Sequence, residues 1–333
     1  MSILISSDWH FSDAVSEGYR FKAIEHWVPR FIKEHEVKLL LFLGDVCEAK
    51  DEHRAELVNS VVDVFHRISE LCPIVALQGN HDWFSSPENP YFGFLSRLEG
   101  IVWVAQPIDL RDLSPLLSKG SRAILLPHSA DYRRDWDDIE FKAYDWAFAH
   151  QSFAGAATES GFVLPGGVPL SYFPSSLQIV SGDIHRPQSF QNLTYVGAPY
   201  PIDFGDAFEP RMLLLKDGKL RSLPCPGPAK RLLDIKSLSE LRKASLTKGD
   251  LVKVRVELSS EEASNWPEML AEIRAWGEKA GVVVHLAKPV LKGHAQSMSL
   301  AKAETKSDAE LLTEYGSARG VSSAILKAGL RLL

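Results

Sequence analysis

Cysteine is scarce. Cys47, Cys72 and Cys225 are the only three in 333 residues, an odd number with no C-x-x-C pair. That count excludes a disulfide framework and a thiolate metal centre, and it predicts reduced thiols in a cytosol. No apolar run approaches the roughly 20 residues needed to span a bilayer. The opening stretch Met1–Asp8 lacks a basic region followed by a long apolar core. The expectation is therefore a soluble, cytoplasmic chain (host cytoplasm if viral) with no membrane partner. A repeat period is missing too, which disfavours a solenoid or propeller, and the 22 Gly and 19 Pro are scattered rather than gathered in low-complexity tracts. Nor is there an excess of basic charge: 37 Lys and Arg against 43 Asp and Glu give a net charge of −6. A surface coated in phosphate-binding cations is excluded, whereas local basic sites for nucleic acid are not.

What the chain does have is ordinary globular composition, 45% hydrophobic and 24% charged, at a length that suggests about two domains. Residues 1–228 hold 20 Lys/Arg against 30 Asp/Glu, a balance of −10, and residues 229–333 hold 17 against 13, a balance of +4. An acidic catalytic part and a mildly basic accessory part fit this division, and so do solvated faces. Short apolar runs at Ile3–Ile5, Leu39–Leu43, Ile74–Leu77, Val102–Ala105, Ala123–Leu126, Trp146–Ala149 and Leu177–Val180 read as buried strands. Helical stripes lie between several of them, at Phe21, Ile24, Trp27, Val28 and Phe31, where Pro29 predicts a kink, and at Leu57, Val58, Val61, Phe65 and Ile68. This alternation predicts an α/β fold. Asp217-Gly218 between two apolar runs predicts a tight hairpin.

Pro224, Pro226, Gly227 and Pro228 then mark a boundary. The expected organisation is a first domain over 1–228 and a small α+β unit over 229–291. A linker and helical tail would occupy 292–333, with short helices near Ala309–Tyr315 and Val321–Leu332. In the α+β unit, strands near Leu232–Ile235, Leu251–Leu258 and Val282–Leu286 are separated by helices near 238–245 and 262–279, the second capped by Ser260.

Each apolar run near the start that could be a central strand ends in a metal-binding residue type. Asp8-Trp9-His10 follows the first, Gly44-Asp45 the second and Gly79-Asn80-His81-Asp82 the third; Ala149-His150 and Gly182-Asp183-Ile184-His185 come later. Loops at the carboxyl ends of strands in an open α/β sheet form a ligand crevice, so residues far apart in sequence can converge there. Carboxylate, imidazole and amide groups without cysteine suit Mn, Fe or Zn, and seven of them suggest two ions. A pair of ions about 3.5–4 Å apart can clamp a phosphoryl group and activate water, which points to phosphoester hydrolysis. Taken singly, the motifs have plainer readings: a strand-end turn for Gly44-Asp45, a helix cap for Asp8-Trp9-His10, a satisfied structural histidine for His150, and a turn for Gly182–His185. Their joint order outweighs those readings.

That ordered set resembles the calcineurin-like metallophosphoesterase superfamily over roughly residues 1–225. Asp8-Trp-His10, the Gly182-Asp-Ile-His-Arg-Pro-Gln188 segment, Tyr195-Val-Gly-Ala-Pro199 and the small unit that follows look most like SbcD-type DNA-repair nucleases, phage counterparts included. The resemblance implies a β-sandwich flanked by helices, four-layer αββα, with a small C-terminal α+β capping domain. It makes Asp8, His10 and His185 ligands of one ion and Asn80 and His150 ligands of the other, with Asp45 bridging. The family has His where this chain has Asp183, so an oxygen replaces a nitrogen ligand; such a change favours Mn or Mg, weakens that site or alters activity. His81 matches the histidine that assists the leaving oxygen, with Asp82 expected to orient it. The implied cofactors are two divalent ions, Mn first, with Mg, Fe or Zn as alternatives. The implied partners are DNA, a second copy in a homodimer, and an SbcC-like coiled-coil ATPase docked on the tail.

His53 and Arg54 after the Asp45 loop, and Arg186, are candidates for contact with DNA phosphates, though exposed residues at a helix start are the plainer reading for the first two. His128 reads as a loop histidine, and Trp83 and Phe84 as protein-packing aromatics before base-stacking ones. Two other functions share the motifs. The same site could act on nucleotides, cyclic nucleotides or phosphoproteins, and Asp183 could leave a weakly active DNA-binding scaffold.

Overall fold

A computed structural model of the chain describes residues 2–50, 52–84, 88–113, 122–158, 161–204, 206, 208–259 and 261–291. The expected helical tail and the Ser260 cap lie outside these. In chain order the first elements are β1 (Ser2–Ser6), α1 (Tyr19–His35), β2 (Leu39–Phe42), α2 (Ala55–Ser69), β3 (Ile74–Leu77), β4 (Ile101–Val104), β5 (Ile108–Asp109) and α3 (Leu110–Leu113). There follow β6 (Ala123–Leu126), α4 (Tyr132–Asp135), β7 (Trp146–His150), β8 (Gln178–Gly182), β9 (Gln188–Phe190), β10 (Leu193–Tyr195), β11 (Arg211–Lys216) and β12 (Lys219–Pro224). The last are β13 (Lys230–Ile235), β14 (Leu251–Leu258), α5 (Trp266–Ala280) and β15 (Val283–Leu291).

The first twelve strands form two six-stranded sheets, ordered β12-β11-β1-β2-β3-β4 and β5-β6-β7-β8-β10-β9. Their central strands run parallel, β1 to β4 in one and β6 to β8 with β10 in the other. The apolar runs are continuous because both faces are covered. Along β1 to β3, Leu4, Leu40, Phe42, Ile74 and Ala76 point to α1 and α2, where Ile24, Val28, Val61 and Phe65 meet them. The alternate residues Ile3, Ile5, Leu39, Leu41, Val75 and Leu77 point the other way, onto Leu125, Phe148 and Val180 of the second sheet. This period-two division makes the sandwich. The far face of the second sheet is covered by α4, 3-10 turns at Phe141–Ala143 and Leu170–Tyr172, and the aromatics Trp136, Phe141 and Phe173.

The motif-bearing strands thus belong to two facing sheets flanked by helices, the α/β sandwich that the family resemblance implies, rather than to the single open sheet that strand-end reasoning suggests. Nothing in a run such as Ala-Ile-Leu-Leu distinguishes a seventh strand of one sheet from the first of another. Pro29 lies inside a helix that continues to His35. Asp217 and Gly218 both take left-handed φ, 53° and 71°, as the β11–β12 hairpin requires.

The third sheet, β13-β14-β15, is parallel and packs against α5 through Val252, Val254, Val256 and Ile273. α5 starts with Pro267 in its first turn. Just upstream, Ser259 and Glu262 bond each other's backbone N–H groups reciprocally at 3.2 and 2.8 Å, a capping box. β15 continues past Leu286 through Pro289, which an edge strand tolerates. No helix among the described residues is long and apolar enough to cross a membrane.

Candidate metal centre between the two sheets

Beyond β1 the chain alternates between core and site. Trp9 is fully buried among Phe11, Phe42 and Phe65, and its Nε1 donates to Ser6 Oγ at 2.8 Å. Asp8 and His10 on either side turn the other way. Three backbone bonds, Asp8 N to Gly44 O at 3.0 Å, His10 N to Asp45 O at 3.1 Å and Phe11 N to Val46 O at 2.8 Å, zip this loop to the one after β2. Asp8, His10, Asp45 and Asp183 all adopt left-handed φ, at 56°, 42°, 62° and 83°. Non-glycine residues accept that conformation only when their surroundings over-determine it, and such residues gather at functional sites.

Glycines admit the close approaches. A Cβ on Gly79 would stand 2.2 Å from Asp45 Oδ1, and one on Gly44, itself at φ 96°, would stand 2.5 Å from His150 Nδ1. Asp82, fully buried, fastens the two loops: its carboxylate accepts from the backbone N–H of Asp45, Val46 and Gly79, each at 2.8 Å. Burial and the neighbouring Asp45 charge push its pKa up to about 6, against the pull of those N–H donors. The expectation that Asp82 orients His81 is therefore corrected. Its oxygens are spent on backbone, and His81 is held instead by Nδ1 donating to the Glu48 carbonyl at 2.7 Å and by its own N–H donating to Asp45 Oδ1 at 2.9 Å.

The second sheet brings His150, Asp183 and His185 to the same place. His150 Nδ1 donates to the Leu43 carbonyl at 2.5 Å, so Nε2 faces Asp45 Oδ1 at 3.3 Å and Asp183 Oδ1 at 3.8 Å. Asp45 Oδ2 lies 3.4 Å from His10 Nε2, which meets His185 Nε2 at 3.1 Å. Asp8 accepts from Ser7 Oγ at 2.5 Å and from the Asp183 backbone N–H at 3.1 Å. The Ser152 hydroxyl donates to the Asp183 carboxylate. The end of the Asn80 side chain stands 3.1 Å from His150 Nε2 and 3.2 Å from both Asp45 oxygens.

Asp8, His10 and His185 thus have ligand atoms within 4.8 Å of one another; so do Asp8, Asp45 and His150, and so do His10, Asp45 and His81. Asp8, His10, Asp45 and His150 are all buried. Burial pushes the Asp8 carboxyl up, while Asp45, also penalised by burial, is held well below the carboxylate range by His150 and His10. Burial pulls the His150 and His10 imidazoles down, but the surrounding carboxylates outweigh it and raise both. The site's electrostatics therefore favour positive charge among these carboxylates. The donor set fits divalent ions on chemical grounds, with oxygen and imidazole groups and no thiolate. Asn80 fits as well: the end of its amide stands between His150 Nε2 and both Asp45 oxygens, where the nitrogen turned inward would donate to those acceptors and the oxygen turned inward would meet a cation held among them.

Of the other candidates, His53 packs against Tyr91 and Phe92, with ring centroids at 4.1 and 5.1 Å. Arg54 is exposed and pairs with Asp13 at 3.1 Å, and Arg186 is exposed. His128 lies beside the cluster, 6.4 Å from His150 between ring centroids, and burial, with the nearby His150, pushes its pKa down to about 4. Sequence reasoning did not single out Ser7, Glu48 or Ser152. Each adjoins a motif, but nothing in its type or spacing marks it.

Two solved structures are similar to parts of the chain. Pseudomonas putida nuclease MPE is 17% identical, with 66% of this chain and 87% of that one covered at a TM-score of 0.32. Plasmodium GAP50, described as the anchor in the inner membrane complex, is 12% identical, with 69% and 90% covered at a TM-score of 0.42. Residues 1–187, more than half of the chain and all of the cluster just described, match the model of the calcineurin-like phosphoesterases. The chain belongs to the calcineurin-like phosphoesterase family.

Proposed function

We propose that the chain is a two-metal-ion phosphodiesterase that cuts DNA at or near its ends. In this reading Asp8, His10 and His185 hold one ion, Asn80, His150 and Asp183 the other, and Asp45 lies between them. Family membership carries metal-dependent phosphoester hydrolysis as the general activity. The observation that most supports two ions is the Asp45 carboxylate, with one oxygen toward His10 and the other toward His150.

When bound, paired divalent ions neutralise charge on the phosphodiester and make hydroxide available from water near neutral pH. The chain's own groups do the rest. Leu43 fixes the His150 tautomer, and the Asp82 carboxylate fixes the loop that carries Asp45. Attack on phosphorus breaks the bond to the sugar oxygen, which leaves with a proton. His81, anchored through Nδ1, would supply it from Nε2 as the imidazolium, a form that burial disfavours and the Asp45 charge favours. An oxygen ligand at Asp183 suits Mn. The SbcD-type motifs support DNA as substrate. They also support duplex guidance by residues 229–291, a homodimer, and docking of an SbcC-like ATPase on residues 292–333 in the cytoplasm.

The test compares end-labelled duplex, single-stranded and hairpin DNA with nucleotides and small phosphodiesters, in Mn, Mg or chelator. Mn-dependent DNA cleavage abolished by chelator and by Asp45→Ala, and reduced about 10²–10⁴-fold by His81→Ala, is expected. Hydrolysis of nucleotides or small esters without DNA cleavage overturns the DNA assignment, and metal binding without any hydrolysis makes the chain a scaffold.

A further inference from the structure

A chain of charged side chains, three buried and one exposed, leads from the candidate metal centre to the third sheet. Arg20, on α1 and 3% exposed, donates through Nε to Glu17 Oε2 at 2.9 Å and through Nη1 to Glu48 Oε2 at 2.9 Å and to the backbone carbonyl of His10. The same Glu48 oxygen stands 3.6 Å from His10 Nδ1, and the Glu48 backbone carbonyl holds His81. On the other side, Lys230, the first residue of β13 and 5% exposed, donates to Glu17 Oε1 at 2.8 Å and to the Ile202 carbonyl at 2.7 Å. Arg20 Nη2 reaches that carbonyl too, at 3.3 Å.

We infer that Arg20 and Glu48 are positioning residues for His10, and that Glu17 and Lys230 extend their grip to the third sheet, so that metal affinity at His10 depends on a residue of β13. The inference rests on the reading that His10 holds an ion. His10 has φ 42°, a conformation that its own chain does not favour. Its N–H is fixed by Asp45 O and its carbonyl by Arg20, so the guanidinium supplies half of the backbone restraint. Its ring presents Nε2 to the site and turns Nδ1 toward the Glu48 carboxylate at 3.6 Å, a charge contact without a hydrogen bond. A carboxylate on the far nitrogen is a common means of steering a metal-binding histidine, and here it acts through charge. Arg20 sets that carboxylate and the carbonyl together, and a planar guanidinium can do both where an ammonium cannot. Two cations and two carboxylates balance, so loss of Lys230 leaves Glu17 short of its partner and Arg20 pulled toward it.

The experiment titrates the full chain with Co²⁺, read by calorimetry and by visible absorption of the bound ion, in wild type, His10→Ala, Glu48→Gln, Arg20→Met, Lys230→Met and Lys230→Arg. Glu48→Gln and Arg20→Met are expected to weaken one of two Co²⁺ sites by about 10–100-fold and to shift its absorption bands. Lys230→Met should weaken the same site severalfold, and Lys230→Arg should restore it. Should Arg20→Met fail to fold, Glu48→Gln, whose side chain is 48% exposed, and Lys230→Met carry the test. Wild-type affinity and spectrum in both of these overturn the inference, even if Lys230→Met melts lower, since that is all a structural anchor would do. Co²⁺ binding that His10→Ala leaves unchanged overturns the ligand reading itself, and the inference with it.

Discussion

Asp45 can occupy its place only because residue 79 has no side chain. A Cβ there would lie 2.2 Å from Asp45 Oδ1 and 2.5 Å from Asp45 N, so Gly79→Ala must push the carboxylate away from His10 and His150. Misplacement on the order of 1 Å costs about 10²-fold in rate. Gly79→Ala is accordingly expected to lower phosphodiester hydrolysis by at least about that factor while leaving far-ultraviolet circular dichroism unchanged. The types of group at the site were legible because they stand at or just past the end of a strand, where a continuous apolar run stops and a Gly, Asp or His begins. What held them was not. Asp82 reads as a partner for the adjacent His81, yet its oxygens go to N–H groups up to 37 residues away. Nothing in its type or spacing marks Arg20, and only the approach of α1 to the His10 loop makes it a buried cation.

At the scale of elements, the sandwich places strand ends of both sheets around one point. Seven apolar runs mark central strands, but two-sided burial makes all of them look alike, so their division between two sheets was not readable from the runs themselves and came only from the resemblance carried by the motifs. The sandwich's second edge is held by Asp109 on β5, which accepts from Arg111 at 2.8 Å and Arg122 at 3.2 Å. The hydrogen bonds of Arg111, foremost, hold its pKa down to about 2, below its ordinary 3.8. A depressed carboxylate pKa stabilises the fold above the unfolded value and stops doing so as pH falls through the folded one. Asp109→Asn should therefore cost up to about 1 kcal/mol at neutral pH, its partners being partly exposed. The gap from wild type in urea unfolding should close between about pH 4 and pH 2. In the third sheet, a Cβ on Gly277 of α5 would lie 2.5 Å from Val284 Cγ2 of β15. Gly277→Ala is expected to destabilise that unit by about 1–3 kcal/mol through overpacking, visible as a lower thermal midpoint.

For the whole molecule, the notable cost is charge. Asp8, Asp45, His10 and His150 lie buried together, and each ion withdrawn from water is penalised by several kcal/mol before its partners repay it. Divalent ions that bind only the folded chain offset that penalty by mass action, about 2.7 kcal/mol at a hundredfold excess over Kd. Saturating Mn²⁺ should raise the thermal midpoint, and chelator should reverse the shift. The central claim is that one carboxylate holds two ions side by side, and Mn²⁺ titration followed by electron paramagnetic resonance tests it most directly. Two Mn²⁺ per chain with the multiline signal of an exchange-coupled pair, replaced by uncoupled or lost binding in Asp45→Ala, is the predicted result. A single ion per chain, or a coupled pair that survives Asp45→Ala, would contradict it.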